Sequence, residues 1–591
     1  MISLLFIISY LYLIAITPPT VGYELSIYDA YPWFFWMFLT GSIVSGIIIL
    51  VHQAFYGKDK SKWWLVGFSI ILFTTFIFLL LPLFRGYAFY DRGDVLDQYG
   101  MVKDVIFTGH IGRNNPYPIS HILVVSTSYI TGLTPRVIIL SFPAFFSILY
   151  MILIYLLATV ISRDHGQILL ITAFGSVLIF IRFNTAFYPS ILSFFIFPLI
   201  IFLYYMRSKK GSITYEFIFI LMLFLIPFFY PTASLYLIII LLCFGLSTKI
   251  LKSTQGQKSL SEEEMYRFGS FQVPSMILFI TFFTWLSSHA IFGAGIRKVY
   301  NWLVYGLGRP PIEDITTMLA SAHLSIYEQI SLFINLSGHH LLFLLVSLIA
   351  IIVLLKNFFS SHNPPSFEEL SFSLLFIIFS VITIIVLISY LIENEPFRIF
   401  QYALLFSTLL NGIFLYNFIS KLKGKKKLIA IILLLLLIII SSFIGIFNVY
   451  PSPIIRQANE QVTVMELVGM EWFINQKSLD IDTSSIKVYQ RSFEAAIHSY
   501  ETMEQEKRTT HWKKMAPPVH FGYDNNNTLG ETFTSDRYIL LSEMDYKFYG
   551  KLWPEVGKWS LDDFKKFDSD STVDKLYSNG ELKIWLVGDH E

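Results

Sequence analysis

Long apolar runs separated by short polar stretches fill the first three quarters of the chain. A hydrocarbon core of about 30 Å takes roughly 20 apolar residues in a helix. Runs near that length fall at 1–17, 32–52, 64–84, 137–161, 168–183, 190–206, 213–230, 233–249, 273–293, 339–356, 371–392, 397–420 and 428–447, which predicts thirteen membrane-spanning helices. After Phe447 charges and amides return and the apolar runs shorten. KVYQ (487–490), RYILLSE (537–543) and LKIWLV (582–587) read as strands, and 459–476 carries helical spacing through Val464, Leu467, Val468, Trp472 and Phe473. About 140 residues suffice to bury a core of their own. The expected fold class is an all-α polytopic membrane protein with a C-terminal extracytoplasmic α/β domain. The expected divisions are two N-terminal helices (1–62), a membrane core (63–447) with outer loops 85–136 and 294–338, and the terminal domain (448–591).

Composition agrees with this pattern. Only 14% of the 591 residues are charged, against about 25% in soluble domains. A net charge of +1 gives no electrostatic footprint for nucleic acid or acidic partners. The single cysteine, Cys243, lies in an apolar run, which excludes an internal disulfide and a cysteine metal site. Met1 to Thr17 lacks a basic n-region and a small-residue cleavage site, so it reads as a retained span rather than a signal peptide.

Sidedness follows from the basic loops. Lys58, Lys60 and Lys62 follow the second run; Arg207, Lys209 and Lys210 the sixth; Lys249, Lys252 and Lys258 the eighth; and Lys421, Lys423 and Lys425 to Lys427 the twelfth. All come after even-numbered runs, so one topology puts them in the cytoplasm and 85–136, 294–338 and 448–591 outside, at the cell membrane's outer face. Sequons at Asn335 and Asn526 fall on the outward side. The spans carry almost no central charge: Glu216, Arg182 and Arg398 sit at span ends, and His289 lies near the outer end of its run. Ion-coupled transport normally needs a charged relay at the midplane. Its absence turns attention to the outer surface.

There the informative stretch is RGYAFYDRGDVLDQYGMVKDVIFTGHIGRNNPYPISHILVVSTSYITGLTPR, 85–136. Val95, Leu96, Tyr99, Val102 and Ile106 make one apolar helical face that Gly109 ends, so a short amphipathic helix is expected along the membrane surface. A second is expected from Pro118 to near Gly132. Asp91, Asp94 and Asp97 crowd at the first helix's start. The plain explanation is a capping pair, Asp94 at the N-cap and Asp97 at N3. The chemical one is that crowded carboxylates raise one another's pKa, which suits a general base held at the lipid surface.

A span, then GYAFYDRGDVLDQYG, then a juxtamembrane helix, then NPYPISH and a second helix resembles the first outer loop of the GT-C superfamily of membrane glycosyltransferases. These include protein O-mannosyltransferases, lipid A aminoarabinose transferases and oligosaccharyltransferases; GDVLDQYGMVKDVIFTGHI and NPYPISHIL look most like prokaryotic members, archaeal ones among them. The resemblance implies a GT-C-like core over 63–447, with the first two spans an N-terminal addition. It implies Asp94 as the catalytic acid, with Asp91 and Asp97 beside it. The implied chemistry is transfer from a polyprenyl-phosphate-linked sugar, with inversion, to a protein, lipid or glycan acceptor. No WWDYG-like motif follows in the terminal domain, which disfavours oligosaccharyl transfer to asparagine. The outer turn 183–189 lacks the second acid of metal-dependent relatives, which weakens the case for a divalent cation; no cofactor is otherwise implied.

The departing lipid phosphate needs a cation. Arg398, in ENEPFRIFQY, is the first candidate, because guanidinium binds phosphate oxygens bidentately. Its alternatives are snorkelling at a helix end or pairing with Glu393 or Glu395. Arg182 and Tyr188, in IRFNTAFYPS, follow, with interfacial anchoring as their alternative. His121 is a candidate proton shuttle or a satisfied loop histidine. His339 and His340 form an exposed-looking pair without a placed third metal ligand. Loop 294–338 carries Arg297, Lys298, Glu313, Asp314 and Glu328 over the expected site. Two other readings stay open: a non-enzymatic transporter or assembly factor for surface polysaccharide or glycolipid, and a glycolipid-binding relative that no longer reacts.

Overall fold

The described residues of the thirteen apolar runs are mainly helical in the computed structural model, which describes residues 2–57, 61–255, 271–305, 324–360, 365–389, 396–506 and 516–588. Eight helices are long and apolar enough to cross a membrane: Trp33–Tyr56, Pro135–Ile161, Pro189–Lys210, Pro231–Ser253, Ile326–Phe359, Phe367–Ile388, Pro396–Ser420 and Gly424–Val449. Gln272–Ser287 and Phe292–Asn301 pass the same test as a pair bent by 96°. Ile2–Ile16, Trp63–Leu79, His165–Val177 and Ile213–Phe229 are shorter apolar helices. The described chain thus has the make-up of a multi-pass membrane protein, with eight spans by length and composition, or nine with the bent pair.

The lipid-compatible faces are visible as exposed apolar side chains, such as Leu428, Leu433, Leu436, Ile440 and Phe443 on one helix. Between helices, small residues let backbones approach. A Cβ on Gly46 would lie 2.7 Å from the carbonyl oxygen of Gly67 on the neighbouring helix. Buried hydroxyls and amides satisfy one another: Ser347 bonds Ser407 at 2.7 Å and Asn411 at 2.8 Å.

The loop helices lie at Asp94–Thr108 and Pro118–Thr131, and each ends at a left-handed glycine, Gly109 (φ +71°) and Gly132 (φ +72°). The terminal domain has a four-stranded sheet in the order Asp482–Ser485, Arg537–Ser542, Leu582–Val587, Val573–Ser578. Its first pair is parallel and the others antiparallel. Residues 487–490 are not a strand, contrary to the sequence reading. The polar stretch Asp482–Ser485 takes the edge position instead, and Tyr489 starts the helix Gln490–His498.

Loop and domain meet through backbone pairing. Phe89–Tyr90 forms an antiparallel ladder with Gln461–Val462, flanked by bonds from the Ala88 amide to the Val462 carbonyl (2.9 Å) and from the Asp91 amide to the Glu460 carbonyl (3.0 Å). The helix Asp94–Thr108 is pressed onto Gln490–His498 so closely that a Cβ on Gly100 would fall 2.6 Å from the Ala495 carbonyl oxygen. The segment after the first helix joins in: Glu24 receives Arg85 at 2.8 Å, and Asn459 donates to the Glu24 carbonyl at 3.0 Å. Arg456 of the terminal domain reaches Glu328 at 3.5 Å. The first loop, the terminal domain and Glu328 are thus in contact with one another.

Candidate functional site

The chain turns sharply before the first loop helix. Asp91 holds φ +86°, a conformation that Asp tolerates better than most residues because its short side chain bonds locally. Here its Oδ1 accepts the Gly93 amide at 2.7 Å. Gly93 is the N-cap and Asp94 the first helical residue, so the expected capping pair of Asp94 with Asp97 is corrected: the turn is closed by Asp91. Because Val95, Leu96 and Val102 are buried, Asp94 is turned outward and its side chain is 63% exposed.

Arg398 stands opposite. It is the third residue of the helix Pro396–Ser420, and its guanidinium comes to 3.9 Å from Asp94 Oδ2. It donates to the Tyr230 hydroxyl at 3.0 Å and lies 5.9 Å from that ring's centre. Tyr230 closes the helix Ile213–Phe229 and lies 5.7 Å from the Tyr117 ring of the loop. One carboxylate, one guanidinium and two tyrosines, from four separate segments, thus border one spot at the loop end of the bundle.

Behind this lies a second layer. Asp91 accepts a hydrogen bond from the Tyr188 hydroxyl. Arg182 donates to Gln457 at 2.7 Å and to Glu460 at 3.0 Å. No local pattern marks Glu460 or Gln457 as neighbours: both reach the site only through the ladder of Phe89–Tyr90 with Gln461–Val462. Tyr230, immediately before Pro231 at a break between apolar runs, carried a readable signal.

Burial pushes the Asp91 carboxyl up to about 7; nearby Glu460 adds to the rise, and the Tyr188 and Gly93 donors oppose it. Burial likewise lifts Asp97 to about 6, against the pull of Arg491. The native Asp91 keeps its proton over a range, about pH 4 to 7, where an unfolded carboxyl loses it. Its contribution to stability therefore falls as pH rises through that window and is constant above it. Asp91→Asn removes this loss. The expected result is a difference in unfolding free energy, variant minus wild type, that grows from pH 4 to 7 by on the order of a few kcal/mol and then levels. Parallel pH curves for the two proteins would contradict it.

His121 is buried, with Nδ1 bonded to Asn115 and Nε2 2.7 Å from Gln98 Oε1. Burial pushes its imidazole down to about 3, so it stays neutral, and both ring nitrogens are engaged. It fixes the two loop helices to each other rather than facing the Asp94 spot. His339 is buried and His340 half-buried, with rings 3.7 Å apart and Phe400 beside them. They are not the exposed pair the sequence suggested, because Ile326–Ser360 runs as one long helix that carries them inside the bundle. Lys58, Lys60, Lys258, Glu313, Asp314, Glu393 and Glu395 lie outside the described residues. Among the described residues no three His, Cys, Asp or Glu side chains converge to hold a metal ion.

A multi-pass helical protein with an acid and a guanidinium facing each other at one end of its bundle is the class that fold and site define. No protein-family model matches the chain, and no curated protein sequence matches it. Similar solved structures include ArnT from Cupriavidus metallidurans in the apo state, at 8% identity over 88% of this chain and 97% of that one, with a TM-score of 0.45. They also include ArnT from the same organism bound to undecaprenyl phosphate, at 10% identity over 89% and 98%, with a TM-score of 0.44.

Proposed function

We propose that this protein is a membrane glycosyltransferase, moving a sugar from a polyprenyl-phosphate-linked donor to a protein, lipid or glycan acceptor on the outer face of the cell membrane. The observation that carries the reading is the outward carboxylate of Asp94 facing the guanidinium of Arg398 across 3.9 Å, where apolar helices end. A donor with a prenyl tail among those helices would present its phosphate and anomeric carbon at this height. The resemblance of residues 85–136 to GT-C first loops supports the same assignment independently.

In this reading the donor phosphate takes the place of Asp94 on Arg398, because a phosphate can bind guanidinium bidentately. Asp94 is then released toward the acceptor. It accepts the proton of an acceptor hydroxyl while that oxygen bonds to the anomeric carbon from the face opposite the phosphate. The carbon–oxygen bond to the lipid phosphate breaks, its electron pair leaves with the phosphate, and Arg398 meets the developing charge. The anomeric centre is inverted. Asp91 acts as a positioning residue, holding the turn through Gly93 and anchored by Tyr188; Arg182 and Glu460 brace it from behind. Asp97 lies one turn further along, facing the acceptor's side.

Arg398→Gln tests the donor half of this reading. Removing a charged hydrogen-bond partner costs about 1.5–3 kcal/mol, roughly ten- to a hundredfold in affinity. Native mass spectrometry of the purified protein with polyprenyl phosphate should show that loss. Equal lipid retention by wild type and variant would contradict the role.

A further inference from the structure

Beside Asp94 the first loop helix forms the floor of a groove, walled by the terminal domain on one side and by residues 112–117 on the other. Two neighbouring chambers line it. One, of about 320 Å³, is bordered by Asp97, Tyr117, His289, Arg491 and Tyr500. The other, of about 230 Å³, is bordered by Asp104, Arg113, Glu501 and Gln505. Asn114, Tyr500 and Glu504 belong to both. Ligand sites run from about 300 to 1,000 Å³, so the groove is of ligand size, and it starts within a helical turn of the reacting carboxylate.

Its lining defines a chemistry. Asp97, Asp104, Glu501 and Glu504 set four carboxylates against the two guanidiniums of Arg113 and Arg491. A concave site with that balance repels anions. Several groups are held in fixed orientations: Arg491 donates to the Tyr500 hydroxyl at 2.7 Å, Gln505 to Glu501 at 3.2 Å, and the Glu501 amide to Asp104 at 3.0 Å. The Asp97 carboxylate, at the edge of the groove, has Ser492 as a hydrogen-bond partner and Arg491 as a neighbouring cation, and its Oδ1 has room for a further donor. The flanking aromatic faces of Tyr117 and Tyr500 suit the C–H face of a sugar ring or an ammonium group. Aliphatic lining is limited to Met101, Pro116 and Ala290.

We infer that this groove binds the acceptor, and that the acceptor is a glycan without anionic groups, built of neutral or amine-bearing sugars. This rests on the glycosyltransferase reading for the word acceptor; the binding chemistry stands on the groove alone. Saturation-transfer NMR on the full-length protein in nanodiscs reads binding without turnover. The probes are maltotriose, the glucosamine trisaccharide, trigalacturonate and a Ser/Thr-rich peptide. The expected result is signal from the first two. Glu504→Gln should weaken the glucosamine trisaccharide about tenfold, and Gln505→Trp, at an exposed position bordering the smaller chamber, should weaken both by occluding that chamber. Signal from trigalacturonate or the peptide equal to that of the glycans would overturn the inference. So would silence from both glycans, or glycan binding untouched by Gln505→Trp. Sugar transfer that depends on Asp94 together with silent glycans would sink the inference and leave the proposed activity standing; glycan binding together with Asp94-independent transfer would do the reverse.

Discussion

Asp94→Asn should lose sugar transfer by about 100- to 10,000-fold, the range for removing a positioned general base, while the protein stays folded. Two observations keep stability out of the result. The side chain is 63% exposed, and its ion pair with Arg398 spans 3.9 Å; exposed pairs contribute about 0–1 kcal/mol. The first-turn charge adds about 0.3–1 kcal/mol through the helix dipole. The variant should therefore melt within a few degrees of wild type and hold polyprenyl phosphate as well or better, since Arg398 has lost its resident carboxylate. The loss belongs in kcat rather than in donor affinity. The check is a transfer assay with the lipid-linked sugars of native membranes, beside lipid binding on the same preparation. A folded Asp94→Asn protein turning over at the wild-type rate would remove Asp94 from the chemistry.

Glu466→Ala should destabilise the protein by about 3–5 kcal/mol, the cost of leaving one buried charge unpaired. Arg92 is fully buried and Glu466 nearly so, at 0% and 3% side-chain exposure. The guanidinium is paired with Glu466 and also donates to the Gln461 carbonyl at 2.7 Å. Removing the carboxylate strands the cation between the loop and the terminal domain. Replacing both partners by methionine should restore most of the stability, because apolar packing avoids burying charge at all. Thermal unfolding of wild type, Glu466→Ala and the double variant in one detergent measures it. Glu466→Ala melting like wild type would show that the pair does not hold the domain. The effect reaches the site: this ion pair pins Gln461–Val462 against Phe89–Tyr90, and that ladder sets Glu460 beside Asp91.

The sequence made the helices legible because lipid imposes one rule on every span: twenty or so apolar residues with satisfied backbone. The loop helices were legible too, since Pro118, Gly109 and Gly132 mark their ends through backbone geometry. Asp94 stood out in the sequence as one of three crowded loop acids and Arg398 as a span-end charge, and the structure sets them 3.9 Å apart. Their neighbourhood was not legible. Glu460 and Tyr188 meet Asp91 across several hundred and about a hundred residues of chain respectively, through a two-residue ladder and one side-chain bond that no local pattern announces. His121 read as a candidate because a loop histidine beside a YP turn is chemically versatile; only burial and the pairing with Gln98 and Asn115 show it as a tie between helices. The strand Asp482–Ser485 stayed hidden because it is made of polar residues, and its partner, not its own pattern, makes it a strand.

The product's anomeric configuration tests the central account most directly. Purified protein supplied with a polyprenyl-phosphate-linked sugar and acceptor can be followed by proton NMR at the sugar's first carbon and phosphorus NMR at the lipid. In-line attack opposite Arg398 predicts free polyprenyl phosphate and a product of inverted configuration, formed in equal amounts. Retained configuration, or sugar that stays on its lipid while Asp94 and Arg398 are intact, would contradict it.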